Sequence, residues 1–209
     1  VRRFITFEGI EGSGKTTQVQ LLSNALEGRG VDHVLTREPG GTPIGDTIRA
    51  LVLDPAHGNM TAACELLLYA AARAQHIDQV IRPALDGGSL VLCDRFTDAT
   101  RAYQGFGRGL PMPFLERLFA LEALALVPDR TLLFDIEPGT AIQRARDRDR
   151  SRGEPGTRFE QEDLPFHERV RAGYLELARR EPARITVIDA TGTVEAVQAR
   201  VIQAVEMDT

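Results

Sequence analysis

The chain is poor in lysine, tryptophan, cysteine and long apolar runs, and each shortage narrows what it can be. Its 209 residues contain no tryptophan and two cysteines, Cys64 and Cys93. The two cysteines lie far apart and lack the spacing of a metal site; Cys93, inside an apolar run, reads as a buried free thiol. No apolar stretch approaches membrane-spanning length, and the first residues lack a secretory pattern, so a soluble, cytoplasmic protein is expected, with no membrane partner. A formal net charge of −5 disfavours non-specific binding to a polyanion, and no nucleic-acid partner is expected. Repeats and low-complexity blocks are absent. The length suits one well-buried domain over residues 1–209.

Lysine is the most informative shortage. Among 25 lysine and arginine side chains, Lys15 alone is a lysine. It sits in Gly9-Ile10-Glu11-Gly12-Ser13-Gly14-Lys15-Thr16, two glycines around four residues and then Lys-Thr, the P-loop pattern. An ammonium is compact and carries three rotatable donors, so it can bridge β- and γ-phosphate oxygens. A planar guanidinium is wider and would foul a loop that closes around phosphate. The flanks agree with this reading. Phe4 to Glu8 reads as a buried strand, and Val19, Leu21, Leu22, Ala25 and Leu26 recur at helical spacing until Gly28 and Gly30. A strand, glycine-rich turn and helix aim backbone N–H groups and the positive end of a helix dipole at one point, which binds phosphate. Gly9, Gly12 and Gly14 let the backbone approach the phosphates, and the Thr16 hydroxyl would ligate Mg²⁺.

Five apolar runs read as strands: Phe4 to Glu8, Val34 to Thr36, Leu90 to Asp94, Thr131 to Ile136 and Ile185 to Asp189. Helical patterns alternate with them, the longest from Thr61 to Leu85 and another from Met112 to Val127. That alternation predicts an α/β fold, a five-stranded parallel sheet with helices on both faces. Right-handed crossovers bring the strand C-termini to one edge, where ligands bind. Glu8, the P-loop, Arg37, Asp94, Arg95 and Asp135 all fall there. Thr42 and Pro43 read as the cap and first residue of a helix. Arg144 to Arg158 is dense in arginine, aspartate, glycine and proline. It reads as a mobile lid that takes no part in the core.

Several groups carry chemistry. Asp94 ends an apolar strand, where a carboxylate assists Mg²⁺, often through water; capping of the next helix is the plainer alternative. Arg95 follows and can neutralise charge during phosphoryl transfer. In the lid, Arg144, Arg146, Arg148, Arg150 and Arg152 alternate with small and acidic residues. They read as a solvated, ion-paired helix or as a lid that delivers an arginine to the γ-phosphate, which accelerates transfer by several powers of ten. Tyr69 and Arg73 stand four apart on one helix face, which suits a planar heterocycle with carbonyl oxygens but equally a core tyrosine beside a surface arginine. A guanine-specific switch protein is excluded, because its asparagine-lysine-x-aspartate motif needs a second lysine.

Taken together, Phe7-Glu8-Gly9-Ile10-Glu11-Gly12-Ser13-Gly14-Lys15-Thr16-Thr17, Thr36-Arg37-Glu38-Pro39-Gly40-Gly41-Thr42, Tyr69-Ala70-Ala71-Ala72-Arg73-Ala74-Gln75, Asp94-Arg95-Phe96 and Ala102-Tyr103-Gln104-Gly105 resemble, in that order, the bacterial thymidylate kinases. The resemblance runs nearly end to end. It implies a P-loop kinase fold and transfer of the γ-phosphoryl group of ATP to thymidine 5′-monophosphate, with ATP and Mg²⁺ as cofactors and a homodimeric assembly. It also implies roles. Tyr69 stacks on thymine, Arg73 bonds a thymine carbonyl, Thr100 and Gln104 line the base pocket, and Pro39 touches the 5-methyl. Tyr103 lies beneath the sugar and crowds a 2′-hydroxyl, Glu11 faces the acceptor sugar, and Arg37 and Arg95 hold the acceptor phosphate. Gly9 to Thr17, with Arg144 and Arg146, frame the ATP. Lys15, Arg95 and Arg148 carry the chemistry, and Thr16 and Asp94 the metal. Two departures stand out: the lid is longer than the usual bacterial form, with Asp149 to Gly156 partly extra, and Tyr69 replaces a common phenylalanine. A kinase for another deoxynucleotide or nucleoside, and a P-loop module that transfers nothing, are the competing readings.

Overall fold

A central strand buried on both faces organises the molecule. In a computed structural model of the chain, which describes residues 3–153 and 156–206, the described residues form a five-stranded sheet in the order β2-β3-β1-β4-β5, and every pairing is parallel. The strands are β1 (Phe4–Glu8), β2 (His33–Arg37), β3 (Leu90–Asp94), β4 (Arg130–Asp135) and β5 (Ile185–Asp189). All of β1 is buried, as a middle strand covered on both faces must be. Its side chains alternate. Ile5 and Phe7 join a core with Val19, Leu22, Val197 and Val201. Phe4 joins a second with Ile77, Ile81, Val91, Cys93 and Phe96.

The crossover elements follow from local signals. α1 (Lys15–Gly28) starts at Gly14 and ends where the glycines begin. α2 (Pro43–Leu53) is capped by Thr42, whose hydroxyl accepts from Gly45 N at 3.0 Å, with Pro43 at the first position. α3 (Ala62–His76) runs through a wider π turn, Ile77–Ile81, into α4 (Arg82–Asp86), so the long pattern from Thr61 is nearly one continuous helix. After β3 come the short α5 (Thr97–Thr100), a second π turn at Arg101–Gly107, and α6 (Met112–Phe119). Then follow α7 (Pro138–Arg152), α8 (Leu164–Arg180) and α9 (Val194–Glu206). Among the described residues no helix is long and apolar enough to cross a membrane.

Two expectations need correction. The helix begun at Met112 stops at Phe119, not Val127; beyond it Leu124 is buried from an irregular turn, which prolonged the apolar spacing without helix. The arginine-rich segment is not apart from the core. It is helical through Arg152, and Ala145, Asp149 and Arg158 are buried. Ala141 and Ala145, one turn apart, pack against the P-loop at Gly12, and Arg158 is buried because Glu65 neutralises it. Glu154 and Pro155, within the proposed extra length, lie outside the described residues, as does the side chain of Arg152.

Candidate active site

The loop after β1 is shaped by positive-φ glycines and closed by its own lysine. Gly12 has φ 76°, and a Cβ there would lie 1.9 Å from the carbonyl oxygen of Ala141 on α7. Gly14, at φ 89°, ends the loop and stands as the N-terminal cap of α1, the end of a helix that favours an anion. Lys15 Nζ donates to the Ile10 carbonyl at 2.8 Å and to Ser13 Oγ at 3.2 Å, so the ammonium is held inside the loop. Burial, then the nearby Arg95, push the Lys15 amine down to about 8, against Asp94, Glu11 and Glu8. Thr16 Oγ1 donates to Asp94 Oδ2 at 2.6 Å, which sets a hydroxyl and a carboxylate oxygen side by side at the start of α1. These are hard oxygen donors of the kind Mg²⁺ takes, and that ion draws its remaining ligands from water and phosphate. Among the described residues no cluster of three or more His, Cys, Asp or Glu could cage a metal alone.

Two cavities open on this loop. One, of about 370 Å³, is lined by Arg37, Pro39, Tyr69, Arg73, Arg95, Thr100, Tyr103 and Gln104, the full acceptor set expected from sequence apart from Glu11, which also lines it. The other, of about 760 Å³, is lined by Gly12 to Gln18, by Arg144, and by Ala190 and Gly192 to Val194 after β5. The two share Glu11, Lys15, Thr16 and Arg148. The lysine, the metal-type hydroxyl and one arginine of α7 therefore stand where the cavities meet.

Arg95 is the residue most tightly built into the junction. It has φ 71°, a left-handed backbone that a non-glycine residue rarely adopts, and such strain clusters at functional sites. Its Nη1 donates to the Gly9 carbonyl at 2.8 Å and to Tyr174 Oη at 3.3 Å. Its Nη2 donates to Glu11 at 3.4 Å and to Tyr103 Oη at 3.3 Å, and the guanidinium lies 5.1 Å from the Tyr103 ring centre. Glu11 also receives Arg148 Nη1 at 3.3 Å. Burial works to raise the Glu11 carboxyl, but Arg95, Lys15 and Arg148 outweigh it and hold the group below its usual range. Arg148 further donates to Asp149 at 2.7 Å and Glu160 at 3.3 Å. Arg37, at the cavity rim, pairs with Asp46 at 3.2 Å.

The base-side residues form a second network. Arg73 Nε donates to Glu38 Oε2 at 2.7 Å, and its Nη2 donates to the Phe96 carbonyl at 3.1 Å and Thr100 Oγ1 at 3.0 Å. Nη1 is buried with no hydrogen-bond partner among the described residues. Glu38 Oε1 also lies 3.1 Å from His76 Nδ1, and His76 Nε2 lies 2.6 Å from Thr36 Oγ1.

The structure separates the arginines of α7. Arg144 and Arg148, one turn apart, line the cavities, whereas Arg146 is exposed and lines neither. Arg150 pairs outward with Asp147 at 3.2 Å. The sequence alternates with a period of two, but a helix turns about 100° per residue, so every second arginine cannot share one face. Arg146 therefore lies off the helix face that lines the cavities. Sequence reading missed Glu38, Arg49, Glu65, Asp149 and the turn from Ala190 to Val194. Only that turn carried a signal, as the glycine-bearing loop after a strand at the ligand edge.

Comparison with known proteins agrees over nearly the whole chain. The family profile described as thymidylate kinase matches residues 7–201. The chain is 54% identical over 199 residues to a thymidylate kinase of Syntrophotalea carbinolica, covering 95% of this chain and 92% of that one. It is 50% identical over 205 residues to one of Desulfovibrio desulfuricans, covering 97% and 94%. A crystal structure of thymidylate kinase from Ehrlichia chaffeensis superposes with a TM-score of 0.78 at 35% identity, over 97% of each chain.

Proposed function

The chain belongs to the thymidylate kinase family and transfers the γ-phosphoryl group of ATP to thymidine 5′-monophosphate; from that premise we propose how its residues share the reaction. The observation that carries the assignment is the meeting of two cavities at Glu11, Lys15, Thr16 and Arg148. ATP occupies the larger cavity, with its phosphates on the N–H groups of Gly9 to Thr17 and Arg144 alongside. Thymidylate occupies the smaller. Tyr69 stacks on the base, Arg73 donates to a carbonyl, Thr100 and Gln104 complete the polar edge, and Pro39 meets the 5-methyl. Tyr103 underlies the sugar and Glu11 faces it.

Arg37 and Arg95 hold the acceptor phosphate. One of its oxygens attacks the γ-phosphorus in line, the bond to the bridging oxygen breaks, and ADP leaves. Lys15 neutralises charge on the β- and γ-oxygens, and Arg148, delivered by a lid of about residues 144–158, neutralises the group in flight. When Mg²⁺ is bound, Thr16 and Asp94 would hold it, and it would draw charge from the phosphate oxygens.

The whole chain acts as one kinase domain in the cytoplasm. It pairs as a homodimer through apolar helix faces, supported by Ile44 and Leu67, exposed by 56% and 55% on the mutually packed α2 and α3. A panel of nucleoside monophosphates with ATP and Mg²⁺ tests the substrate assignment. Thymidylate should exceed deoxyuridylate modestly, since one methyl is worth about 1–3 kcal/mol, and deoxycytidylate more strongly. Equal turnover of deoxycytidylate and thymidylate contradicts it.

A further inference from the structure

Beneath the smaller cavity, on α3, lies a carboxylate with no exposed surface, Glu65. Its Oε1 accepts from Gln104 Nε2 at 2.6 Å and from Arg108 Nε at 3.4 Å. Its Oε2 accepts from Arg108 Nη2 at 3.3 Å and from Arg158 Nη2. Arg158 is anchored in turn on the Val52 carbonyl at 3.1 Å, and Arg108 on Glu162. The carboxylate is thus fixed by four hydrogen bonds from three side chains and offers Gln104 nothing but acceptor oxygens.

That matters because an amide has two unlike ends. Its nitrogen only donates and its oxygen only accepts. A carboxylate captures the nitrogen and repels the oxygen, so Gln104 cannot turn over. Its Oε1 makes no hydrogen bond to a described residue, and Gln104 lines the cavity, so the group presented to a ligand is an acceptor. Arg73, a donor only, is held on Thr100 and lines the same cavity. One donor and one acceptor facing a shared cavity suit the O4 and N3–H edge of thymine. Cytosine carries the reverse order, an amino group beside a bare N3.

We propose that Glu65 is a specificity-determining positioning residue, which locks the amide of Gln104 so that the base site accepts a thymine-type edge and rejects a cytosine-type edge. The inference rests on the reading that the base binds in the smaller cavity against Gln104. It adds the group that gives Gln104 its polarity.

The test uses the full chain and kcat/KM with ATP for thymidylate, deoxyuridylate and 5-methyldeoxycytidylate. The last keeps the methyl and reverses only the polar edge. Glu65→Gln can donate as well as accept, so Gln104 is freed to turn. The preference for thymidylate over 5-methyldeoxycytidylate should fall about tenfold or more, while the preference over deoxyuridylate stays unchanged. Merely structural damage lowers all three together and leaves both ratios as in the wild type, which overturns the proposal. Gln104→Ala separates the two levels. If it collapses the ratio and Glu65→Gln does not, Glu65 has no such role and the base reading stands. If neither variant moves the ratio, the base is not read at Gln104. Should Glu65→Gln fail to fold, Glu65→Gln/Arg158→Met removes the more deeply buried of the two arginines that the carboxylate neutralises, and the same ratio decides.

Discussion

Replacing Gly12 with alanine should cost far more than the same change at Gly14, and the difference measures how closely α7 rests on the phosphate loop. Both glycines have positive φ, 76° and 89°, so both alanines incur a left-handed backbone penalty of about 1–2 kcal/mol. At Gly14 that is the whole effect in the free protein, since a Cβ meets nothing within 4 Å. At Gly12 the Cβ would lie 1.9 Å from Ala141 O, 2.7 Å from Ala141 C and 3.2 Å from Ala145 N, all backbone. No side chain can move aside, so the helix or the loop must shift by about 1 Å or more, and overpacking of this kind adds about 1–3 kcal/mol. In a chain of this size each kcal/mol lowers Tm by about 2–4 °C. Calorimetry without nucleotide should therefore show a fall of about 2–8 °C for Gly14→Ala and about 4–20 °C for Gly12→Ala. The retreat of α7 also carries Arg144 and Arg148 away from the cavities, and a misplacement of about 1 Å can lower kcat by about a hundredfold. Equal melting points for the two variants, with normal kcat in Gly12→Ala, would refute the contact and with it the placing of α7 over the phosphates.

Other outcomes follow from the same geometry. Arg148→Ala should lower kcat far more than it raises KM for ATP, because its guanidinium stands where the cavities meet, whereas Arg150→Ala should be nearly silent; steady-state kinetics on both variants checks the register. Glu8 gives a pH dependence. Burial, then Asp98, push its carboxyl up to about 7 from an ordinary value of 4.5, against Arg95, Tyr174 and the Phe96 N–H. The folded chain therefore holds a proton that the unfolded chain releases, and this contribution to stability falls as pH rises from 4.5 through about 7. Glu160, also pushed up to about 7 by burial and then by Asp149, adds a similar slope to wild type and variant alike. Urea melts at pH 5 and pH 8 should thus differ less for Glu8→Gln than for the wild type, and an unchanged difference rules out Glu8 as a source.

The sheet and the phosphate loop were legible because their signals are local. β1, β3 and β5 have the bounds that their apolar runs predict, and the Thr42 cap acts within three residues. The residues expected at the acceptor lie in motifs that keep their order, and eight of them line one cavity together with Glu11. What stayed hidden depends on distant partners. Glu38, quoted only as part of a motif, and Glu65 carried no reading of their own, yet both are buried and ion-paired, and their partners lie far off in sequence, Arg73 35 positions from the first and Arg158 93 from the second. A helix was among the readings of the arginine-rich segment, but its packing against the loop had a signal that polarity masked: Ala141 and Ala145 are spaced to share one face, and both are buried.

The central claim is that Lys15, the chain's one lysine, meets the phosphates of ATP. Its buried amine, pushed down to about 8 by burial and Arg95, is a better nucleophile near neutral pH than an ordinary lysine. An amine-reactive ATP analogue, followed by peptide mapping with mass spectrometry, reads its place directly. The account predicts modification of Lys15 that excess ATP with Mg²⁺ suppresses. Equal modification of Lys15 with and without ATP would contradict it.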